Sequence, residues 1–203
     1  MFKEQLLSIP HLKSDVNPIV KAYIMSEALL WSGWYLVIPI TALFVIADIP
    51  GGNIQFAATG FSIYLVTRVV FELISGQYLA QTTDKKKLAA AATGVLLTSL
   101  ALSSFAFSDS VTSLFISYAI GGMGLGIGAP AKNALFSIHI DKNKETTEWS
   151  IADGITFICM ALATALGGFI AAQYGFKIVF LLAGAITLLG FIPYFLVLSN
   201  TKK

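Results

Sequence analysis

Residues 88–107 have the sequence LAAAATGVLLTSLALSSFAF, a run of twenty residues without a charged side chain. About twenty apolar residues in a helix, rising 1.5 Å each, suffice to cross roughly 30 Å of hydrocarbon. A continuous run favours a helix, because the strands of a membrane barrel alternate apolar with polar side chains. A helix also satisfies its own backbone hydrogen bonds in lipid. This stretch therefore predicts a membrane-spanning helix.

Five further apolar runs of similar length occur along the chain, and breaks such as Asp48-Ile-Pro-Gly-Gly-Asn53 separate them. Glycine and proline in such a segment favour a turn over a continued helix. The runs predict six membrane helices, at about residues 20–47, 54–80, 88–107, 111–131, 151–173 and 178–198. The expected fold class is all-α, with one six-helix transmembrane domain over residues 20–198.

The composition agrees with a chain embedded in a lipid bilayer. Hydrophobic residues make up 56% of the 203 and charged residues only 12%, and the mean hydropathy is +0.78. A soluble domain carries about 25% charged residues, because water must wet its surface. The net charge of +2 is too small to indicate a nucleic-acid partner. The single cysteine, Cys159, leaves no disulfide framework within the chain.

Basic residues are concentrated on one side of the predicted bundle. Lys177 alone lies on the other side, and Arg68 lies within a predicted helix. Because cytoplasmic loops carry an excess of Lys and Arg, the basic side and both termini are expected to be cytoplasmic, in the cell (inner) membrane. The eleven lysines on that side are Lys3, Lys13, Lys21, Lys85, Lys86, Lys87, Lys132, Lys142, Lys144, Lys202 and Lys203.

The segments 1–19 and 199–203 are expected to be cytoplasmic tails. Apolar residues of the first tail could lie along the membrane surface as a short amphipathic helix, and a flexible tail is the alternative. Those residues are Phe2, Leu6, Leu7, Ile9 and Leu12.

Charged residues inside the predicted helices are candidates for function, because such a charge costs about 2.5–3.5 kcal/mol in lipid. Arg68 and Glu72 lie four residues apart on one face of the second helix and can form an ion pair. Glu27 in the first helix is expected at a similar depth, which predicts a cluster of all three. Two interpretations stay open: an ion pair that fixes helix packing, or residues that bind substrate or couple a proton.

Asp153 lies near the start of the fifth helix, where either a helix-dipole contact or a functional role explains an acid. The first helix places Trp31 and Trp34 on one stripe with Glu27. An acid beside indoles could line a cavity that accepts an apolar or cationic molecule. Ordinary packing within the bundle is the alternative for both tryptophans.

Glycines of the fourth helix follow a spacing that permits close helix contact, in the pairs Gly122/Gly126 and Gly124/Gly128. A dinucleotide fingerprint is excluded there, because it requires a preceding strand and a soluble βαβ unit. Neither His11 nor His139 has a second ligand at metal-binding spacing, and no catalytic serine or zinc-protease motif occurs. We therefore expect no metal, no cofactor and no enzymatic activity.

Gly76 is followed by a basic segment that ends in Asp84, Lys85, Lys86 and Lys87. With six helices and cytoplasmic ends, this segment resembles the loop between helices 2 and 3 in one half of a major facilitator superfamily transporter. The family pattern has a glycine, three residues, an acid and a base. Ala80 and Gln81 occupy the last two positions here, so the gating salt bridge is not preserved. The resemblance implies a gating role for Gly76, Asp84, Lys85 and Lys86.

A second match begins at Gly167-Gly168 and runs to Phe180, and it is similar to the family's junction between helices 5 and 6. The resemblance assigns the two glycines to helix packing. The antiporter signature has a Gly-Pro pair where Ala163 and Thr164 stand, so proton antiport of that type is not expected. Tyr118 replaces the arginine that some members carry in helix 4.

The resemblance implies two inverted three-helix repeats, with helices 3 and 6 peripheral and the others facing a cavity or a second half. It implies transport of a small solute, with proton coupling left open, by alternating access between two halves. The chain would act as a homodimer or with a partner half. The alternatives are a non-transporting membrane scaffold, assembly or regulatory subunit, and a channel or permease subunit of another family.

Overall fold

A computed structural model describes residues 17–200 of the chain. The predicted amphipathic segment and four of the eleven lysines (Lys3, Lys13, Lys202 and Lys203) lie outside the described residues. The helices are α1 (Pro18–Asp48), α2 (Ile54–Leu79), α3 (Asp84–Phe105), α4 (Val111–His139), α5 (Glu145–Tyr174), α6 (Phe176–Leu189) and α7 (Phe191–Asn200). The described part has six helical stretches long and apolar enough to cross a membrane, which confirms the predicted number of spans.

Polar caps set the start of several helices. The side chain of Asn17 accepts a hydrogen bond from the backbone N–H of Ile19 at the start of α1. Asn53 does the same for Phe56 at the start of α2, and Ser110 forms a capping box with Ser113 at the start of α4. These bonds satisfy N–H groups that lack a partner within the helix.

The sixth span, Phe176–Ser199, consists of two helices. Proline cannot donate a backbone hydrogen bond, and its ring collides with the carbonyl group four residues earlier. For Pro193 that carbonyl belongs to Leu189, the last residue of α6. The span therefore breaks at Gly190 and resumes as α7.

The packing order places α4 between α2 and α3, α6 between α3 and α1, and α5 against the remaining side of α1. Aromatic rings form much of the core where α1, α3 and α6 meet. Phe180 lies 4.8 Å from Phe44 and 5.4 Å from Phe105, measured between ring centres. The order leaves α2 and α5 at the two ends of the packed series.

The glycines of α4 allow two close contacts on opposite sides of the helix. A Cβ atom at Gly126 would lie 2.6 Å from the carbonyl oxygen of Arg68, on α2. At Gly124 it would lie 2.7 Å from the backbone nitrogen of Thr98, on α3. Gly122 likewise faces α2 and Gly128 faces α3, so the two interleaved pairs serve different neighbours.

The helices α2 and α5 are the most exposed of the spans. Only 17% of the most apolar stretch of each is buried, compared with 56% for α3. Exposed apolar side chains follow both helices, among them Leu65, Val69 and Leu73 on α2 and Leu162 and Leu166 on α5. Each of these two helices thus presents a broad apolar face on the outside of the six-span bundle.

The helix bounds differ from the sequence expectations at the basic end of the bundle. The helix α4 continues to His139, and α5 begins at Glu145 rather than near 151. Lys132, which the sequence placed in a cytoplasmic loop, therefore lies inside α4 and is buried. The predicted placement of Lys132 in a loop was wrong. The prediction ended the helix before this lysine, but a lysine within an apolar helix is tolerated once an acid neutralises it.

Aromatic and ionic contacts gather the starts of α1, α3 and α5 with the end of α4. Tyr23 stacks on Phe136 at 4.2 Å, and Phe136 contacts Trp149 at 4.6 Å. We call this region the basic end, since it carries Lys21, Lys85, Lys86, Lys87, Lys142 and Lys144. Lys177 lies at the other end, 5.2 Å from the ring centre of Phe107.

Candidate functional site

A buried ion pair joins α1 to α4. The ammonium group of Lys132 donates a hydrogen bond to Oε1 of Glu27 at 2.5 Å. The two side chains are only 5% and 9% exposed. A single charge would be unfavourable there, whereas a partner of opposite sign within hydrogen-bond distance makes both tolerable. The pair therefore locks the two helices together at this level.

Trp31 lies one helical turn after Glu27 and holds the same carboxylate. Its indole N–H donates to Oε2 of Glu27 at 3.1 Å. Nζ of Lys132 lies 5.9 Å from the centre of the Trp31 ring, within the range of a cation–π contact. We call Glu27, Trp31 and Lys132 the Glu27 cluster. Its mutual contacts hold the indole in one orientation.

A cavity of about 310 Å³ opens beside the Glu27 cluster, between α1 and α5. This volume is at the lower end of the range for small-molecule sites. The lining includes four aromatic rings and two acids, whereas Lys132 is not part of it. These six residues are Tyr23, Trp31, Tyr35, Phe157, Glu27 and Asp153. We call this space the α1–α5 cavity.

Asp153 stands on the α5 side of the cavity and is exposed. No ion pair forms between Asp153 and any other residue in 17–200. Glu27, by contrast, is already neutralised by Lys132. Among the described residues, the cavity wall therefore carries one acid without an ion-pair partner.

Trp34 does not share the environment of Trp31, although the sequence placed both on one stripe. Trp34 is buried in the bundle, and its ring lies 5.1 Å from that of Tyr64 on α2. It also sits against Gly121 of α4. Trp34 thus packs between helices, while Trp31 faces the cavity.

Arg68 and Glu72 form the expected ion pair on α2, with Nε of Arg68 3.2 Å from Oε2 of Glu72. The guanidinium also donates to the hydroxyl oxygen of Tyr64 at 3.3 Å. The Arg68 and Glu72 side chains are 30% and 39% exposed, so the pair opens on the outer face of α2. Glu27 is not part of this group, since Lys132 of α4 is its partner. The expected three-residue cluster is therefore divided into two separate sites.

The residues expected in a gating loop lie mostly on helices. Gly76 is within α2, and Asp84, Lys85 and Lys86 form the first turn of α3, so the connection itself spans residues 80–83. Asp84 contacts Nε2 of His139, at the end of α4, across 3.2 Å. This contact ties the start of α3 to the end of α4 at the basic end.

The two glycines of the helix 5–6 match have different surroundings. Gly167 lies against the backbone of Leu36, so a side chain there would collide with α1. A Cβ atom at Gly168 would meet nothing within 4 Å. Close packing of α5 on α1 thus requires the first glycine and not the second.

Within residues 17–200, no group of three His, Cys, Asp or Glu side chains is placed to hold a metal ion. The sequence analysis did not identify Tyr23 and Phe157 as residues of the site, nor Lys132. Apolar residues continue after it, with Ala134, Leu135 and Phe136 repeating the helical pattern of α4. That continuation was the available signal that the lysine lies within the span.

These features define a polytopic membrane protein. It has six candidate spans, a buried ion pair between α1 and α4, and an aromatic cavity between α1 and α5. The sequence profile described as Major Facilitator Superfamily matches residues 24–203, and the chain belongs to that family. Membership indicates a membrane protein that transports a small solute rather than an enzyme. No curated protein sequence matches the chain.

Proposed function

We propose that this six-helix unit forms one half of a transport pathway and moves a small solute by alternating access. The α1–α5 cavity is the substrate site of this half, with Glu27, Trp31 and Asp153 facing the solute. The observation that carries the proposal is the placement of this cavity beside a buried, fully paired charge cluster. Glu27 lies nine residues into α1, or about 14 Å along the helix at 1.5 Å per residue, so its charge is within the span rather than at its end.

A second six-helix unit completes the pathway in this proposal, either another copy of the chain or a partner half. The outer faces of α2 and α5 support it, because they are the least buried parts of the unit. Arg68 and Glu72 support it as well. Their charges lie near the middle of α2 and are partly exposed, and charges at such a depth face protein or water rather than lipid.

An inverted repeat of three spans is supported by the helix contacts. The helix α2 packs on α4 and α3 packs on α4, while α5 packs on α1 and α6 packs on α1. If α1, α2 and α3 are exchanged with α4, α5 and α6 in that order, the two contacts on α4 become the two contacts on α1. Repeats of opposite orientation produce this kind of symmetry in transporters.

The basic end is cytoplasmic in this proposal, and both chain termini lie there. Its lysines outnumber the single Lys177 at the other end, as the positive-inside rule requires. The contact between Asp84 and His139 would act at this end as part of the gate, with Lys85 and Lys86 beside it. Whether a proton is coupled to the movement is decided by measuring uptake with and without a pH gradient.

A transport assay tests the function. The purified chain is screened for thermal stabilisation by single amines, sugars, amino acids and carboxylates, and each stabilising compound is tested for uptake into proteoliposomes. We expect at least one compound to stabilise the chain and to accumulate. Lys132→Met should abolish that accumulation, whereas Lys142→Ala, in the exposed loop after α4, should not. Stabilisation by no compound, together with no uptake, would instead support the non-transporting scaffold.

Crosslinking tests the pairing. In a Cys159→Ser background, Val69→Cys places a thiol on the outer face of α2, and Leu100→Cys places one on α3 with the same 56% exposure. A short bismaleimide should join two copies through position 69 and not through position 100. Equal yields at both positions would contradict pairing through α2.

A further inference from the structure

We propose that the solute taken by the α1–α5 cavity is a small organic cation, with its charged nitrogen against Asp153 and its apolar part against the aromatic walls. This inference rests on the proposed function, because it names the substrate class of that site. Three observations carry it: the charge of the lining, the kind of rings in it, and the position of Lys132.

The charge of the lining is negative. Glu27 and Asp153 are its two acids, and Lys132 neutralises the first by direct hydrogen bonding. Asp153 has no such partner in the described part of the chain. Within residues 17–200, one negative charge is therefore left unbalanced at the wall of the cavity. A monovalent cation balances it, whereas an anion is repelled.

The rings of the lining offer the second element of cation recognition. Tyr23, Trp31 and Tyr35 come from α1, and Phe157 faces them from α5. The face of an aromatic ring carries negative electrostatic potential, so several rings around one space bind substituted ammonium groups. The contact of Lys132 with Trp31 shows that a cation already occupies one face of this set.

Lys132 does not oppose a bound cation. Its side chain is 5% exposed and is not among the residues that line the cavity. Its charge is compensated by the carboxylate that it contacts. A cation in the cavity thus meets the aromatic rings and Asp153, while the ammonium of Lys132 is paired with Glu27.

Binding to the purified full-length chain tests the inference. The probes are benzyltrimethylammonium, the neutral N-benzylacetamide and the anion phenylacetate, which share a phenyl ring and differ in charge. We expect the cation to bind at least about tenfold more tightly than the other two, since one favourable charge contact accounts for that factor. Equal affinity for all three probes, or tighter binding of the anion, would overturn the inference.

Two pairs of variants locate the cation. Asp153→Asn should weaken benzyltrimethylammonium about tenfold, and Asp48→Asn, the same change at the far end of α1, should have no effect. Phe157→Leu should weaken it about threefold, and Phe169→Leu, on α5 with similar exposure but away from the cavity, should not. If Asp153→Asn does not fold, the affinity for benzyltrimethylammonium is measured instead with Asp153→Glu and with the Phe157→Leu and Phe169→Leu pair. Unchanged cation affinity in both Asp153→Asn and Phe157→Leu would exclude this site.

Uptake measured in parallel separates this inference from the function on which it rests. Binding of benzyltrimethylammonium that depends on Asp153, without uptake of any compound, supports the cation site and contradicts transport. Uptake of a neutral or anionic solute, without Asp153-dependent binding of the cation, supports transport and contradicts the substrate class. Uptake of the cation that Asp153→Asn abolishes supports both.

Discussion

Lys132 on α4 donates a hydrogen bond to Glu27 on α1 at 2.5 Å, and both side chains are buried. The pair is one of the direct polar links between two helices that otherwise make few contacts with each other. It also affects the charge of the α1–α5 cavity, since it neutralises Glu27, one of the two acids in the lining. The pair thus links two helices and, in the proposed substrate site, leaves Asp153 as the acid that would meet the charge of the solute.

Removal of one partner of this pair should be strongly destabilising. Lys132→Met keeps the volume of the side chain but leaves the Glu27 carboxylate buried without its cation, which costs about 3 kcal/mol or more. The double variant Glu27→Gln/Lys132→Met should recover most of that loss. Denaturant unfolding in detergent for the two single variants and the double variant measures the coupling. A loss below about 1 kcal/mol for Lys132→Met would show that the carboxylate finds another partner.

Two glycine-to-alanine substitutions should have different effects on the stability of the folded chain. Gly126→Ala forces apart α4 and α2, because its Cβ would lie 2.6 Å from the carbonyl oxygen of Arg68. We expect a loss of about 1–3 kcal/mol. Gly168→Ala meets nothing within 4 Å, so it should be neutral or stabilise α5 by up to about 1 kcal/mol. Thermal unfolding of both variants checks this, and an equal loss at the two sites would contradict the helix packing.

The ion pair on α2 should be needed for transport more than for stability. Arg68→Gln removes one charge of a partly exposed pair. In the proposed assembly that face of α2 meets water or a second unit, and an exposed pair contributes about 0–1 kcal/mol to stability. We expect uptake to fall about tenfold, the equivalent of 1.4 kcal/mol. The swapped variant Arg68→Glu/Glu72→Arg restores the pair but reverses its charges along the helix. If the swap restored full uptake, the pair would serve only to neutralise itself.

A buried hydrogen bond between α3 and α6 should make a small, measurable contribution. The hydroxyl of Ser99 donates to the carbonyl oxygen of Gly184 at 2.8 Å. Ser99→Ala should lower stability by about 0.6 kcal/mol, the mean for polar contacts between membrane helices. Ser62→Ala is the matched control, because within residues 17–200 the Ser62 hydroxyl bonds to the carbonyl oxygen of Ala58 on the same helix. Unfolding of the two variants in the same detergent makes the comparison, and an equal change in both would contradict a role in helix association.

The placement of the charged residues shows how far sequence reasoning reaches. Arg68 and Glu72 were expected to pair because they lie four residues apart on one helix, and the pair is present. Glu27 was expected to join them because its depth is similar, and it pairs with Lys132 instead. Spacing within a helix fixes which side chains share a face. It does not determine which helix stands opposite that face.

The same limit applies to Trp31 and Trp34. Three residues apart on α1, they are neighbours by helical geometry. Trp31 lines the cavity between α1 and α5, whereas Trp34 packs on Tyr64 of α2. The angular difference between two positions on a helix is large enough to give them different neighbours, once helices pack on several sides.

The amino-acid sequence by itself determined the number of spans, because crossing lipid requires a length of apolar helix that can be measured along the chain. It also determined which spans contain charged residues. The run at 88–107, for example, contains none. Only the tertiary structure decided that Lys132 is buried and paired with Glu27, and that Asp153 is left facing a cavity. The physical reason is that hydropathy acts residue by residue along one helix, whereas ion pairs and cavities depend on distances between helices far apart in sequence.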